Sequence, residues 1–248
     1  MKFRISLFAS LYFTTCLSIS HAFDIQKEAS GLLRLNYEGF TVWVDCKERA
    51  AVKYRFNVQH DNGNIPRSKK FSSDPNVSKL CQQKSTGTYK KKGERWDRGH
   101  MVNANSQDNN RVSIMQTNYM TNILPQTAEL NRGAFYQTEL IAECYRDIDE
   151  LLVLGGVIWG DDKSNDYFVQ SHGVRTPDYF WKVIVRQDRV IAWVLPNNHQ
   201  AKKSRLDKYL VSVADIEKIT GEVMPVADYL KHDKLKTSWP VPRNCNKS

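Results

Sequence analysis

At 248 residues, with 41% apolar and 25% charged side chains, the chain is long enough to bury one sizeable core, and no Pro/Gly/Ser-rich linker, repeat or low-complexity tract divides it. Beyond the first 22 residues no stretch is long and apolar enough to span a bilayer. An excess of 36 Lys and Arg over 27 Asp and Glu, a net charge of +9, favours polyanionic partners, nucleic acid before anionic surfaces, but specifies neither fold nor chemistry.

Residues 1–22 read as a removable export leader, because Lys2 and Arg4 precede an apolar run from Ile5 to Leu17 and Ser20-His21-Ala22 offers a small-x-small cleavage site. The run is shorter than the roughly 20 apolar residues of a span, and Phe13-Thr14-Thr15 before Cys16 lacks a lipoprotein pattern. Removal of Lys2 and Arg4 lowers the net charge from +9 to +7. Residues 23–248 are then expected to form one domain, secreted or periplasmic. Its cysteines, Cys46, Cys81, Cys144 and Cys245, are an even set too scattered for zinc pairs, and read as two disulfides. Of three connectivities, Cys46–Cys81 with Cys144–Cys245 is preferred, since the first closes a nearby loop and the second pins the tail.

After the leader, Asp24 to Leu33 reads as a short helical lead and Gly39 to Asp45 as a strand. Val52, Tyr54, Phe56 and Val58 alternate with Lys53, Arg55 and Asn57, the pattern of a half-buried strand. Asp61 to Glu94 is polar and carries Pro66 and Pro75, so a long loop is expected, of the kind that is usually functional or flexible. Ala128 to Tyr145 places Leu130, Ala134, Phe135, Leu140, Ile141 and Cys144 at helical spacing. Leu151 to Trp159, apolar throughout and stopped by Gly160, reads as a central strand, and Tyr179 to Leu195 as a hairpin about Gln187-Asp188-Arg189. Tyr209 to Val213 is a strand running into a short helix that starts near Ser212 and stops at Gly221. Strands and helices mixed in this order give an α+β class.

Directly after Lys90-Lys91-Lys92, the segment Asp97-Arg98-Gly99-His100-Met101 packs two charges, a glycine and an imidazole into five positions. Downstream stand Tyr119-Met120-Thr121-Asn122-Ile123-Leu124-Pro125-Gln126 and Leu130-Asn131-Arg132-Gly133, with Glu139 on the same expected helix. A phosphodiester is already anionic, so attack by water needs a base for the proton and positive charge for the phosphate and leaving oxygen. Taken singly, Asn131 is an ordinary helix cap, Glu139 an exposed helical residue and Lys90 to Lys92 a solvated run with room for phosphate contact. His60, His172, His199 and His232 lack such company and read as surface or core. Asp161 to Asp166 reads as an acidic loop without the EF-hand glycine and terminal glutamate. No P-loop or dinucleotide fingerprint occurs.

Together these pieces resemble the DNA/RNA non-specific endonuclease family, whose members carry DRGH, then T/S-N-I-x-P-Q, then L-N-x-G and a glutamate eight residues after that asparagine. Gly39-Phe40-Thr41-Val42 and Lys53-Tyr54 look like its opening strands, and Val211-Ser212-Val213 with Ile216 to Gly221 is similar to its late strand and helix. The resemblance implies a ββα-metal core on a mainly antiparallel sheet with flanking helices, a β-hairpin supplying the histidine and the next helix the metal ligand. It implies His100 as general base, Asn131 as direct ligand of Mg2+, with Mn2+ or another divalent ion as alternatives, and Glu139 as holder of the ion's water shell. Asn122 and Asp97 would support that shell from behind, with Arg98 and Arg67, in Arg67-Ser68-Lys69-Lys70-Phe71, near the phosphate. DNA and RNA are the implied substrates and 5′-phosphate ends the implied products.

The chain departs from the family at Glu143, where many relatives have arginine. The nearest arginine, Arg146, either substitutes for it in a shifted helix register or is a solvated surface residue, the latter being preferred. A rival from another class is a non-catalytic nucleic-acid-binding protein that retains the fold, although such a protein has no need of His100, Asn131 and Glu139 as a set. A nuclease confined to one sugar or one partner's nucleic acid is the narrower variant.

Overall fold

A computed structural model describes residues 24–58 and 60–245, so the expected leader lies outside the described residues. The strands are β1 (Asp24–Lys27), β2 (Leu33–Tyr37), β3 (Phe40–Asp45), β4 (Ala50–Val58), β5 (Lys90–Lys91), β6 (Glu94–His100), β7 (Ile123–Thr127), β8 (Leu151–Ile158), β9 (Tyr179–Arg186), β10 (Arg189–Pro196) and β11 (Leu210–Val211). The helices are α1 (Arg111–Thr117), α2 (Phe135–Arg146), α3 (Val213–Thr220) and α4 (Asp228–Lys231), with a π turn over Leu130–Ala134 feeding α2. Eight strands pair antiparallel in the order β1-β2-β3-β4-β8-β9-β10-β11, and β5-β6-β7 form a separate small sheet.

Alternation along the strands sorts side chains onto two faces. On one, Tyr54, Phe56, Val153, Phe180, Ile184 and Trp193 join Phe135 and Ile141 of α2 and Ile123 and Leu124 of β7 in the main core. On the other, Trp181, Val183, Val190 and Ala192 pack against Val213 and Ile216 of α3 and Leu230 of α4. Lys182, between Trp181 and Val183, shares the inner face with Phe180 and Ile184, which buries a cation beneath α2.

Most expected elements are present. The hairpin of β9 and β10 turns at Gln187, with φ +50°. At α3, Ser212 and Asp215 form a reciprocal capping box and Gly221 ends the helix at φ +72°. The segment Asp24–Leu33 is the correction: it is a hairpin arm, not a helix. Gly31 sits at φ +85° in a turn closed by hydrogen bonds from Gly31 N to Glu28 O and from Glu28 N to Leu32 O, which reverses the chain and lets β1 pair with β2. Helix α1, N-capped by Asn110, was not anticipated.

The long segment 61–89 has little regular structure, yet it is anchored. Buried Gln82 donates to the carbonyls of Asp74 and Val77 and accepts from Asp74 N. Cys46–Cys81 ties its end to β3, and Cys144–Cys245 ties the C-terminal segment to α2, the connectivity expected. No helix among the described residues is long and apolar enough to cross a membrane. Replacing Cys144 and Cys245 together by Ser is expected to lower unfolding free energy by about 2–4 kcal/mol with an unchanged circular dichroism spectrum. Identical urea midpoints for the two proteins would show that this bridge contributes no stability.

Candidate active site

The motif segments Asp97–His100 and Ile123–Gln126 lie on the two strands of one ladder. Strand β6 pairs with β7 in the register Asp97↔Gln126, Gly99↔Leu124 and His100↔Ile123. A Cβ on Gly99 would lie 2.3 Å from the Gln126 side chain, so the glycine is what allows this close pairing. Pro125 is tolerated because β7 is an edge strand, and Asn197 completes that edge by donating to Pro125 O at 3.0 Å and accepting from Thr127 N at 2.9 Å.

His100, at the end of β6, is buried and lines a cavity of about 400 Å3 together with Arg67, Arg98, Asn131, Arg132, Glu139 and Glu143. Its Nε2 lies 2.9 Å from Asn118 Oδ1. The Asn118 amide nitrogen is committed to the carbonyls of Ser68 at 2.8 Å and Lys70 at 3.3 Å, so its oxygen must face the imidazole. Nε2 therefore carries the proton, and Nδ1 is left as the acceptor. Burial first, then the Arg67 and Arg98 charges, push the imidazole down to about 4, with Asn118 opposing. Asn118 carries no motif signal of its own; its place as the C-cap of α1, facing His100, shows only in the fold.

Arg98 donates to Thr86 O at 2.8 Å and lies 3.9 Å above the Phe71 ring, which in turn meets His100 at 5.5 Å between centroids. Arg67 is exposed at the cavity rim and has no hydrogen-bond or ion-pair partner among the described residues.

Asp97 links the hairpin to the helical element. It accepts from Asn131 Nδ2 at 3.0 Å and from Arg132 Nε and Nη2 at 2.7 and 2.6 Å. Burial raises this carboxyl, but the bonds from Arg132 and Asn131 outweigh it and hold Asp97 below the usual range. With its nitrogen so engaged, Asn131 keeps Oδ1 as its acceptor. Residues eight apart on a plain α-helix differ by about 80° in direction; the wider π turn at Leu130–Ala134 takes up part of that difference, and Asn131 and Glu139 line the same cavity. Gly133 lets this turn approach the next loop, since a Cβ there would lie 3.0 Å from Ala201 O.

Glu139 is half-buried, and burial raises its carboxyl while Lys182 and Arg67 lower it. Glu143, one turn on, accepts from Asn103 Nδ2 at 2.8 Å and is pushed up to about 7 by burial and by Glu139. Lys182 sits beneath both, its Nζ 3.9 Å from the Phe135 ring centre; burial pushes it down to about 8 against the pull of Glu139 and Glu143. A lone lysine alternating with Phe180 and Ile184 was the sequence signal for it.

One expected placement needs correction. Arg146 is not a solvated surface residue: it is buried, paired with Asp61 at 2.6 Å, and donates to Asn105 O at 3.1 Å. It does not line the cavity, although its charge reaches Glu143. Asn122, expected behind the site, does not itself line the cavity. Its amide bonds Val102 N, Val102 O and Thr117 O, so it braces the chain just after His100. His172 is a core residue, packed 4.6 Å from Tyr89 and bonded to Gly87 O.

Oxygen donors from Asn131 and Glu139, with one ligand amide oriented by Asp97, suit a hard divalent cation that keeps most of its waters. Among the described residues no cluster of three or more His, Cys, Asp or Glu is placed to hold an ion, so any such ion would rely on Asn131 and water. A larger cleft of about 750 Å3 beside β2 to β4 contains none of His100, Asn131 or Glu139.

Comparison with known proteins points to one family. The family model described as DNA/RNA non-specific endonuclease matches residues 21–233. Mitochondrial nuclease EXOG of Danio rerio is 28% identical over 169 residues, covering 62% of this chain and 48% of the relative. Nuclease C1 of Cunninghamella echinulata is 28% identical over 166 residues, covering 61% and 64%, and mitochondrial endonuclease G of Homo sapiens is 25% identical over 143, covering 52% and 48%. The chain thus spans about half to two thirds of the length of these relatives. In structure, it superposes on EndoG from its complex with EndoGI with a TM-score of 0.63 at 21% identity, over 77% of this chain and 84% of that one, which establishes a shared fold.

Nitrogen-15 spectra of the imidazoles provide a check on the histidine geometry. His100 is expected to be neutral at pH 7, protonated on Nε2, and to titrate near pH 4. A Nδ1-protonated ring, or a midpoint near 6.5, would contradict the arrangement with Asn118.

Proposed function

Because the chain belongs to the DNA/RNA non-specific endonuclease family, we propose that it is a secreted or periplasmic, divalent-metal-dependent endonuclease hydrolysing DNA and RNA to 5′-phosphate products. Residues 1–22 serve as its leader and 23–248 as one nuclease domain. The observation that carries this reading is the meeting, in one cavity, of an imidazole with a free acceptor nitrogen and an amide whose nitrogen is tied back by Asp97. The basic leader residues, the apolar run and two disulfides support export to an oxidising compartment.

His100 Nδ1 takes the proton of the attacking water. Its depressed basicity keeps it unprotonated throughout the neutral range, and Asn118 fixes both tautomer and ring plane. When bound, a divalent ion such as Mg2+ supplies electrophilic stabilisation of the charge that builds on the phosphate and leaving oxygen. Asn131 Oδ1 would hold it directly and Glu139 through water, and a neutral ligand leaves most of the ion's charge for the substrate. Arg67 and Arg98 hold phosphate oxygens. Backbone contacts of this kind position a strand without reading bases, which suits cleavage without sequence preference on either sugar.

The test is cleavage of supercoiled plasmid and a matched RNA, with and without Mg2+, followed by end analysis. Both polymers should be cut, EDTA should abolish cutting, and the new ends should carry 5′-phosphates. Asn131→Ala should remove metal-supported cleavage, and His100→Ala should lose roughly 10²–10⁴-fold in rate with little change in affinity. His232→Ala, at an exposed site, is the control, since His172 is part of the core. Equal rates for His100→Ala and His232→Ala would defeat the base assignment, and binding without cleavage would favour the rival reading.

Acidity gives a separate check. The folded protein binds fewer protons at His100 than the unfolded chain between about pH 4 and 6.5, so acidification through that window destabilises the fold. Activity should nevertheless hold to about pH 5 and then fall, because only there does the imidazole begin to charge. An acid limb centred near 6.5 would contradict a desolvated base.

A further inference from the structure

The tip of the small sheet carries cations that form no ion pair among the described residues, Arg95 acting on Asp97 only through space. Lys90 and Arg95 are directly opposite in the β5–β6 ladder, an arrangement of like charges that weakens a strand pair. Lys90, Lys92 and Arg95 are exposed, and none has an ion-pair partner among the described residues. The two carboxylates nearby are already engaged: Glu94 accepts from Trp96 Nε1 at 3.0 Å, and Asp97 is held by Arg132 and Asn131. Lys91 is docked instead, its Nζ 3.9 Å above the Tyr167 ring, which packs on Trp96 at 6.0 Å. The hairpin is thereby fixed to the body of the protein with its other cations facing outward.

These cations line a depression of about 420 Å3 that reaches Arg132, and Arg132 also lines the cavity of His100 and Asn131. We propose that Lys90, Lys92, Arg95 and Arg132 form a ledge for the phosphodiester backbone of the strand flanking the scissile bond. The inference rests on the nuclease reading of the adjoining cavity. A strand leaving that cavity past Arg132 meets the three unpaired cations, and their repulsion across the ladder is relieved when phosphates lie between them. A membrane surface fits less well, because Trp96 is buried and Lys91 covers Tyr167, leaving no aromatic anchor.

The test uses the full protein and a variant, K90A/K92A/R95A, with a fluorescein-labelled 30-base-pair duplex in EDTA, read by anisotropy over a salt series. The variant should bind at least about tenfold more weakly at low salt, and its slope of log K against log salt should be shallower by about 2–3, near 0.9 for each cation removed. With Mg2+ present, KM for the duplex should rise with kcat unchanged, while cleavage of a dinucleotide, too short to reach the ledge, stays the same. K218A/K234A/K236A removes equal charge at α3 and after α4 and should leave the slope nearly intact. An unchanged slope in the ledge variant, an equal loss in the control variant, or a parallel loss on the dinucleotide would overturn the ledge, as would a loss confined to anionic vesicles. Duplex binding through the ledge by a wild-type protein that cuts nothing would keep the ledge and overturn the nuclease reading.

Discussion

Asp97 joins the strand that carries the imidazole to the turn that carries the amide. Its carboxylate takes Arg132 through two bonds and Asn131 through one, and the Asn131 bond decides which end of the amide is available. Without it the Asn131 side chain is free to present nitrogen instead of oxygen, and a divalent cation would meet the wrong dipole. The same residue fixes where the turn before α2 lies relative to β6, so the placement of Asn131 relative to His100 is set by a hydrogen bond rather than by the intervening loop. Close pairing of β6 with β7, made possible at Gly99, is the second half of that constraint.

Charge is layered around this link. Lys182 lies below, buried against Phe135; Glu139 and Glu143 occupy the middle; Arg67 and Arg98 lie at the rim with His100. Each layer shifts the next: burial raises both glutamates, Lys182 draws them down again, and the two arginines add to the burial that keeps His100 neutral. Glu143 in place of arginine makes this cavity less cationic than the family pattern, and Arg146 does not restore the charge because Asp61 retains it elsewhere. On the proposed reading, phosphate binding would lean more on Arg67, Arg98 and the cations beyond Arg132.

The residues that meet in the cavity were legible because chemistry and local spacing coincide in them. DRGH, Asn131 in L-N-R-G and Glu139 eight residues later are short-range patterns, and the alternation of β4 and the capping box of α3 are equally local. What escaped depends on pairing between distant segments. Asn118 orients His100 only because its amide is held by the carbonyls of Ser68 and Lys70, some 50 residues earlier. Arg146 looked solvated until Asp61 came beside it, and Asn122 turned inward to main-chain groups of its own neighbourhood. The hairpin of β1 and β2 was misread as a helix because its polar arm lacks strand alternation, and Gly31 alone marked the turn.

Divalent-ion binding to Asp97→Ala tests the central link most directly. In isothermal titration with Mn2+, wild-type protein should bind one ion, and the variant, with an unchanged circular dichroism spectrum, should bind about 10–100-fold more weakly because Asn131 has lost its orienting partner. Equal affinity in the two proteins, or no binding to the wild type, would contradict a metal site built on the Asp97–Asn131 hydrogen bond.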